Sequence, residues 1–148
     1  MTPNPIIPSL WFHTEWGDLG SVIEYYRAIF AEHFHADPIM DLGDTPGGHT
    51  QMAFVRIFGQ RYSLMATATL HHEFNDAFAL TIECMDQDEI DRYWNYFTRE
   101  GKEVQCGWCQ DQFGLRWQVI PANLWELMQK PGAWEVMMGQ KKIIIAEY

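Results

Sequence analysis

A short pattern that occurs once in each half constrains this chain more than any other feature. Gly59-Gln60-Arg61-Tyr62-Ser63-Leu64 is matched by Gly114-Leu115-Arg116-Trp117-Gln118-Val119. Each run reads glycine, any residue, arginine, aromatic, polar, aliphatic. A helical stretch carrying Tyr25-Tyr26 in the first half is answered by one carrying Tyr93-Trp94 in the second. Likeness at corresponding places in two halves points to an internal duplication, so both halves are read against one plan.

In the first half, Ile6 to Phe12 reads as a strand, bounded by Pro5 and a break at Gly17-Asp18. Leu19, Val22, Ile23, Tyr26, Ile29 and Phe30 then recur at helical spacing. Asp18 or Ser21 is placed to cap that helix, and Ser21 with Glu24 fits a capping box. Three extended stretches follow: Phe34 to Leu42, Gln51 to Phe58 after the Gly43…Gly48 loop, and Tyr62 to Leu70 after Gly59-Gln60. The order is β-α-β-β-β.

The second half repeats it. Ala77 to Cys84 alternates as a strand, with Phe78, Leu80, Ile82 and Cys84 on one face and Ala77, Ala79, Thr81 and Glu83 on the other. A helix starts at Asp86, with Glu89 at its third position; Ile90, Tyr93, Trp94 and Phe97 form its buried stripe and Gly101 its stop. Val104 to Cys109 and Leu115 to Ile120 are strands joined by a turn at Asp111 to Gly114. Asn123 to Met138 reads as one or two short helices interrupted at Pro131-Gly132. Ile143 to Ile145 is a last short strand or a docked end.

Composition narrows the function classes. With 148 residues, 47% of them hydrophobic, the chain has ample material for a core. Its net charge of -10 argues against binding nucleic-acid backbones, which need clustered cations. No apolar run approaches the roughly 18 to 20 residues of a membrane span, and no secretory leader is recognised. Three cysteines suit a reducing cytoplasm better than a disulfide framework.

Several motifs resemble a known family. They are Phe74-Asn75, the run from Cys84 through Asp86-Gln87-Asp88-Glu89 to Trp94, Cys106-Gly107-Trp108, and Asp111…Gly114…Trp117-Gln118…Pro121. Pro8-Ser9-Leu10-Trp11-Phe12 and Lys141-Lys142-Ile143 fit as well. Together they resemble the PhnB-like branch of the vicinal oxygen chelate superfamily, which includes glyoxalase I, the bleomycin-resistance proteins and the extradiol dioxygenases. The resemblance implies an α+β fold of two βαβββ modules, each a curved sheet with a helix on its convex face. The concave faces would enclose a cavity, commonly in a homodimer. Module one then spans about 5–70, module two about 77–120, and a helical tail 121–148. Members of this branch often carry the label 3-demethylubiquinone-9 3-methyltransferase. This sequence has no glycine-rich strand-to-helix loop of the kind that holds a nucleotide-like cofactor, so the label is not followed.

Metal-dependent relatives place His, Gln or Glu on the first and fourth strands of the modules, where a divalent ion acts as a Lewis acid. Alignment of the strands puts Pro8, Ser63, Ala77 and Gln118 at those positions. Only Gln118 has a strong ligand group, and it is neutral, so no family-type metal site and no cofactor are expected. Of the six histidines, His33 and His35 fall on one side of a predicted strand without an evident third ligand. His71-His72 lies in the inter-module linker, and His13 is placed to line the cavity mouth.

The candidate cavity residues are Ala79, Thr81, Glu83, Arg116, Gln118, Ser63 and Trp108. Glu83 and Arg116 either form an ion pair across the second module or orient a polar ligand, with Glu83 the candidate general base. Trp11, Trp94, Trp108 and Trp117 either pack the sheet-helix interface or form an aromatic wall for a flat ligand. Parity turns Trp117 toward the helix and Arg116 and Gln118 toward the cavity. Cys84 is expected in the core. Cys106-Gly107-Trp108-Cys109 is rejected as a redox pair because it falls within a predicted strand. The acidic run from Asp86 caps a helix.

The sequence therefore predicts a small-molecule-binding cavity protein, with a metal-assisted lyase, isomerase or dioxygenase as the alternative. A homodimer in the cytoplasm, with neither nucleic acid nor membrane as partner, completes the expectation.

Overall fold

A computed structural model describes residues 4–69 and 71–148; Leu70, the expected end of a strand, lies outside the described residues. The chain divides into two compact units, 1–73 and 74–148.

The first unit contains β1 (Ser9–His13), α1 (Gly20–Phe30), β2 (Phe34–Ala36), β3 (Met40–Thr45), β4 (Gly48–Ile57) and β5 (Gln60–Thr67). Its sheet runs β1-β5-β4-β2, with β3 also paired to β4. β1 and β5 are parallel, and the other pairs are antiparallel. The stretch expected to be continuous from Phe34 to Leu42 is split into β2 and β3. Pro38, without an N–H to donate, interrupts an edge that still pairs with β4 on either side. Leu10, Phe12, Ala53, Val55, Leu64 and Ala66 are buried together with Val22, Ile23, Tyr26, Ile29 and Phe30 of α1. Phe12 meets Tyr26 at 6.1 Å between ring centroids.

The capping box at Ser21 does not form, because α1 begins one residue earlier. Asp18 Oδ1 accepts from Gly20 N at 2.8 Å, and Gln51 Oε1, reaching from β4, accepts from Leu19 N at 2.9 Å. Of the two candidate caps it is Asp18 that meets a helix-start donor, and a sheet side chain satisfies the one before it.

The second unit contains β6 (Ala79–Cys84), α2 (Gln87–Arg99), β7 (Lys102–Glu103), β8 (Trp108–Gln110), β9 (Arg116–Pro121), α3 (Leu124–Leu127) and α4 (Ala133–Met138). Its order, β6-β9-β8-β7, repeats the first, with the first strand again parallel to the last. The repeated motif occupies the same place in both units. Gly59 and Gly114 each turn the chain into the last strand at a positive φ, 79° and 83°.

Asp86 caps α2 by accepting from Glu89 N, and Glu89 reaches back to Met85 N at 2.9 Å. Phe97 stacks on Trp117 at 4.4 Å with 12° between planes, and Trp94 Nε1 donates to Glu103. Gly101 does follow the helix, but the reason is proximity: a Cβ there would overlap the carbonyl oxygens of Gln110 and Phe97.

Two strand expectations need correction. Phe78 was expected under the helix but precedes β6 and is 45% exposed, in a turn where Asn75 Oδ1 accepts from Ala77 N. Val104 to Cys109 is not one strand. A turn through Cys106 (φ 57°) and Gly107 (φ 83°) separates β7 from β8. The tail explains that turn, since Cys106 N and Gly107 N donate to the carbonyls of Gln140 and Lys141, both at 2.8 Å.

Ile143 is the docked end rather than a strand, packed with Ile120, Leu124 and Met137. Gln87 clamps it, donating to Ile143 O and accepting from Ile145 N. Lys142 pairs with Asp91 at 2.9 Å.

Asp111 turns the chain into β9 while only 2% exposed. Its Oδ1 accepts from Phe113 N and Leu115 N, and its Oδ2 accepts from Trp117 Nε1 at 2.9 Å. Asp111→Ala strands those donors and is expected to cost about 3 kcal/mol in urea unfolding, where each orphaned buried donor costs about 1–3 kcal/mol. Trp117→Phe, which keeps a ring against Phe97, is expected to cost less. Equal losses would contradict the role given to the carboxylate.

His49, on β4, faces an acceptor at each ring nitrogen: Trp16 O at 2.7 Å from Nδ1, and both Asp41 oxygens at 3.0 Å from Nε2. Only the doubly protonated ring can donate to both. The Trp16 carbonyl first, and then Asp41, raise the His49 pKa. The Gly43 N–H first, and then His49, lower that of Asp41. The His49 contribution to stability is therefore complete below about pH 6.5 and lost as pH rises through its folded pKa. The Asp41 contribution is complete above about pH 4 and lost as pH falls through its folded pKa. An NMR titration should find the His49 ring titrating higher in the native chain than in urea. His49→Gln should remove the part of the alkaline stability loss that wild type shows across that pH range. A His49 ring titrating no higher in the native chain than in urea would contradict this.

Candidate functional site

Strand register decides which side chains share a face, because residues level with one another on neighbouring strands project to the same side. In the second unit Ala79 is level with Arg116, Thr81 with Gln118 and Glu83 with Ile120. Trp108 is level with Gln118, and Gln110 with Arg116. The structure therefore brings six of the seven candidate residues, Ala79, Thr81, Glu83, Trp108, Arg116 and Gln118, onto the face away from α2. Thr81 Oγ1 donates to Gln118 Oε1 at 3.2 Å.

Glu83 and Arg116 do not pair. Arg116 Nε donates to Asp76 Oδ1 at 2.8 Å, while Nη1 donates to Phe74 O and Gly114 O. Its guanidinium ties the start of the unit to the turn before β9. Glu83 is exposed, without the enclosure that a general base in an apolar cavity requires.

Ser63, the seventh candidate, lies on the corresponding face of the first unit, level with Ser9 on β1 and Phe54 on β4. Trp11 and His13 share that face. Trp11 Nε1 donates to Thr67 Oγ1 at 2.8 Å, and the rings of His71 and His72 pack on Trp11 at 5.7 and 4.4 Å. The linker histidines thus lie over Trp11 while remaining exposed to solvent. His13, expected at a cavity mouth, lies at the strand end with Nε2 3.1 Å from Ala68 O.

The tryptophans divide between the two readings considered for them. Trp94, on α2 itself, and Trp117, on β9, are core residues of the second unit. Trp11 and Trp108 belong to the faces away from the helices and are partly exposed.

The residues do not fit the superfamily's metal ion. Pro8 and Ala77, assigned to the first strands by alignment, both precede them. The residues level with Ser63 and Gln118 are Ser9 and Thr81, so the four positions carry two serines, a threonine and a glutamine. None supplies a charge or an imidazole. Among the described residues no three of His, Cys, Asp and Glu gather into a group fit to hold a metal.

His33 and His35 part company, since His33 sits in a 3₁₀ turn before β2. Its ring stacks on Phe58 at 4.3 Å. Burial raises the pKa of both Cys84 and Cys109 to about 12, which leaves them packed thiols. The C-x-x-C pair fails for a reason other than the expected one. Cys106 lies in the turn, Cys109 in the core, and all three cysteines are free. The contact between His49 and Asp41 was missed in the sequence, because it depends on the β3–β4 pairing and its irregularity between Asp41 and Gly43.

Comparison with known proteins agrees with this architecture. The family model described as 3-demethylubiquinone-9 3-methyltransferase matches residues 4–120. No curated protein matches the chain in sequence. Among solved structures, a putative 3-demethylubiquinone-9 3-methyltransferase, PhnB protein, from Bacillus cereus superposes with a TM-score of 0.62 at 19% identity, covering 79% of this chain and 99% of its own. The fosfomycin resistance protein FosX from Listeria monocytogenes gives 0.55 at 17% identity, with 88% and 100% covered. A Pseudomonas aeruginosa protein gives 0.57 at 15%, with 78% and 98% covered. At these identities the structures share the fold, and the family rests on the model match. The chain belongs to the PhnB-like family described as 3-demethylubiquinone-9 3-methyltransferase, and it shares the fold of the PhnB and FosX structures.

Proposed function

We propose that this protein binds a small organic ligand on the sheet faces away from its helices, without a divalent ion at the positions its superfamily uses. One observation carries the reading. The level pairs Ser9/Ser63 and Thr81/Gln118 present hydroxyls and a single amide, Gln118, where a metal-dependent relative gathers several His, Gln or Glu ligands. Trp11 and Trp108 beside them supply aromatic surface, and a few placed polar groups among apolar ones suit a small-molecule site.

The metal-assisted lyase, isomerase or dioxygenase stands as the alternative and needs a ligand set other than these four. Methyl transfer, which the family description suggests, has less support. The strand-to-helix connections 14–19 and 85–86 contain a single glycine, so neither forms a glycine-rich cofactor loop. We further infer a cytoplasmic homodimer. The compartment rests on the free thiols and the dimer on the habit of the superfamily. Among the described residues no helix is long and apolar enough to cross a membrane. The net charge of -10 disfavours a nucleic-acid partner.

A thermal-shift screen of small organic compounds, run with and without EDTA, tests the reading. Hits should raise the melting temperature equally in both conditions, and S-adenosylmethionine should give no shift. Gln118→Ala should weaken a hit by about tenfold, the loss of one well-placed hydrogen bond. Stabilisation that vanishes with EDTA would move the metal-assisted reading to first place.

A further inference from the structure

Arg56 and Arg61 stand directly opposite each other across the β4–β5 hairpin. They lie in step with Phe54 and Ser63, so both project from the face away from α1. His35 is level with Arg56 on β2, which sets three basic side chains in a row across three strands. Like charges placed opposite one another weaken a sheet. The chain has twenty acidic residues to ten Lys and Arg, yet no ion pair among the described residues involves Arg56 or Arg61.

The three residues border a small, shallow surface hollow with Phe54 on its wall and Asp37 as its carboxylate. The Arg61 guanidinium carbon lies 4.1 Å from the Phe54 ring centroid. That stacking engages the guanidinium face and leaves its N–H donors for another partner. With Asp37 counted, two guanidiniums leave one positive charge unmatched.

We propose that this hollow binds the oxyanion group, carboxylate or phosphoryl, of a small ligand. Forked guanidinium donors suit such a group, and its charge relieves the repulsion between the two arginines. The site lies wholly within the first unit and does not depend on Gln118, so it can fail without the failure of the reading above.

The test is an NMR titration of the arginine Nε–H signals of the full chain with inorganic phosphate and, separately, with acetate, in oxyanion-free buffer at constant ionic strength. Saturable shifts at Arg56 and Arg61, with Arg27 on α1 unmoved, are expected. Response to phosphate alone assigns a phosphoryl ligand, to acetate alone a carboxylate, and to both a general oxyanion site. Arg56→Gln and Arg61→Gln should each weaken binding about tenfold or more. In oxyanion-free buffer Arg56→Gln should melt no lower than wild type. Absence of saturation with either anion, equal shifts at Arg27, or a lower melting temperature for Arg56→Gln would each overturn the proposal.

Discussion

The parallel pairing of the first strand of each unit with its last, β1 with β5 and β6 with β9, is the constraint on which the rest depends. A slip of one residue in either ladder would turn every side chain to the opposite face. The observed register sends Leu10, Phe12 and Leu64 toward α1, and Cys84, Trp117 and Val119 toward α2. It leaves Ser9, Ser63, Thr81 and Gln118 on the other faces. The residues available for recognition follow directly from where the core is built.

Much of this was legible in the sequence. The helix stripes of both units and the cap at Asp86 are local, and each is set by residues within a turn of one another. The alternation from Ala77 to Cys84 put Thr81 and Glu83 on the face away from the helix, and the parity of Leu115 to Ile120 put Arg116 and Gln118 there, as the register has them. The repeated glycine-to-aliphatic motif marks the same turn and strand in both units, with Gly59 and Gly114 in the same left-handed conformation.

What sequence reading missed depends on partners distant along the chain. Gln51 reaches the start of α1 and accepts from Leu19 N because β4 passes beside it. The turn at Cys106 and Gly107 forms where the tail at Gln140 and Lys141 accepts their N–H groups. Arg116 pairs with Asp76 rather than Glu83 because the segment before β6 folds back to the turn at Gly114. Pro38, which splits the edge of the first sheet, was visible throughout. Arg56 and Arg61 were also within reach, since a two-residue connection at Phe58-Gly59 sets them opposite each other.

The consequences for function lie in which charges remain uncommitted. Arg116 is engaged by three acceptors, His49 by two, and Cys84 and Cys109 are packed thiols. The level pairs Ser9/Ser63 and Thr81/Gln118 hold neutral side chains. The most direct measurement is elemental analysis of protein purified without a metal-affinity tag, followed by calorimetric titration with Mn, Fe, Ni and Zn. The account predicts substoichiometric metal and no saturable heat from any of the four. One tightly held equivalent per chain would contradict it.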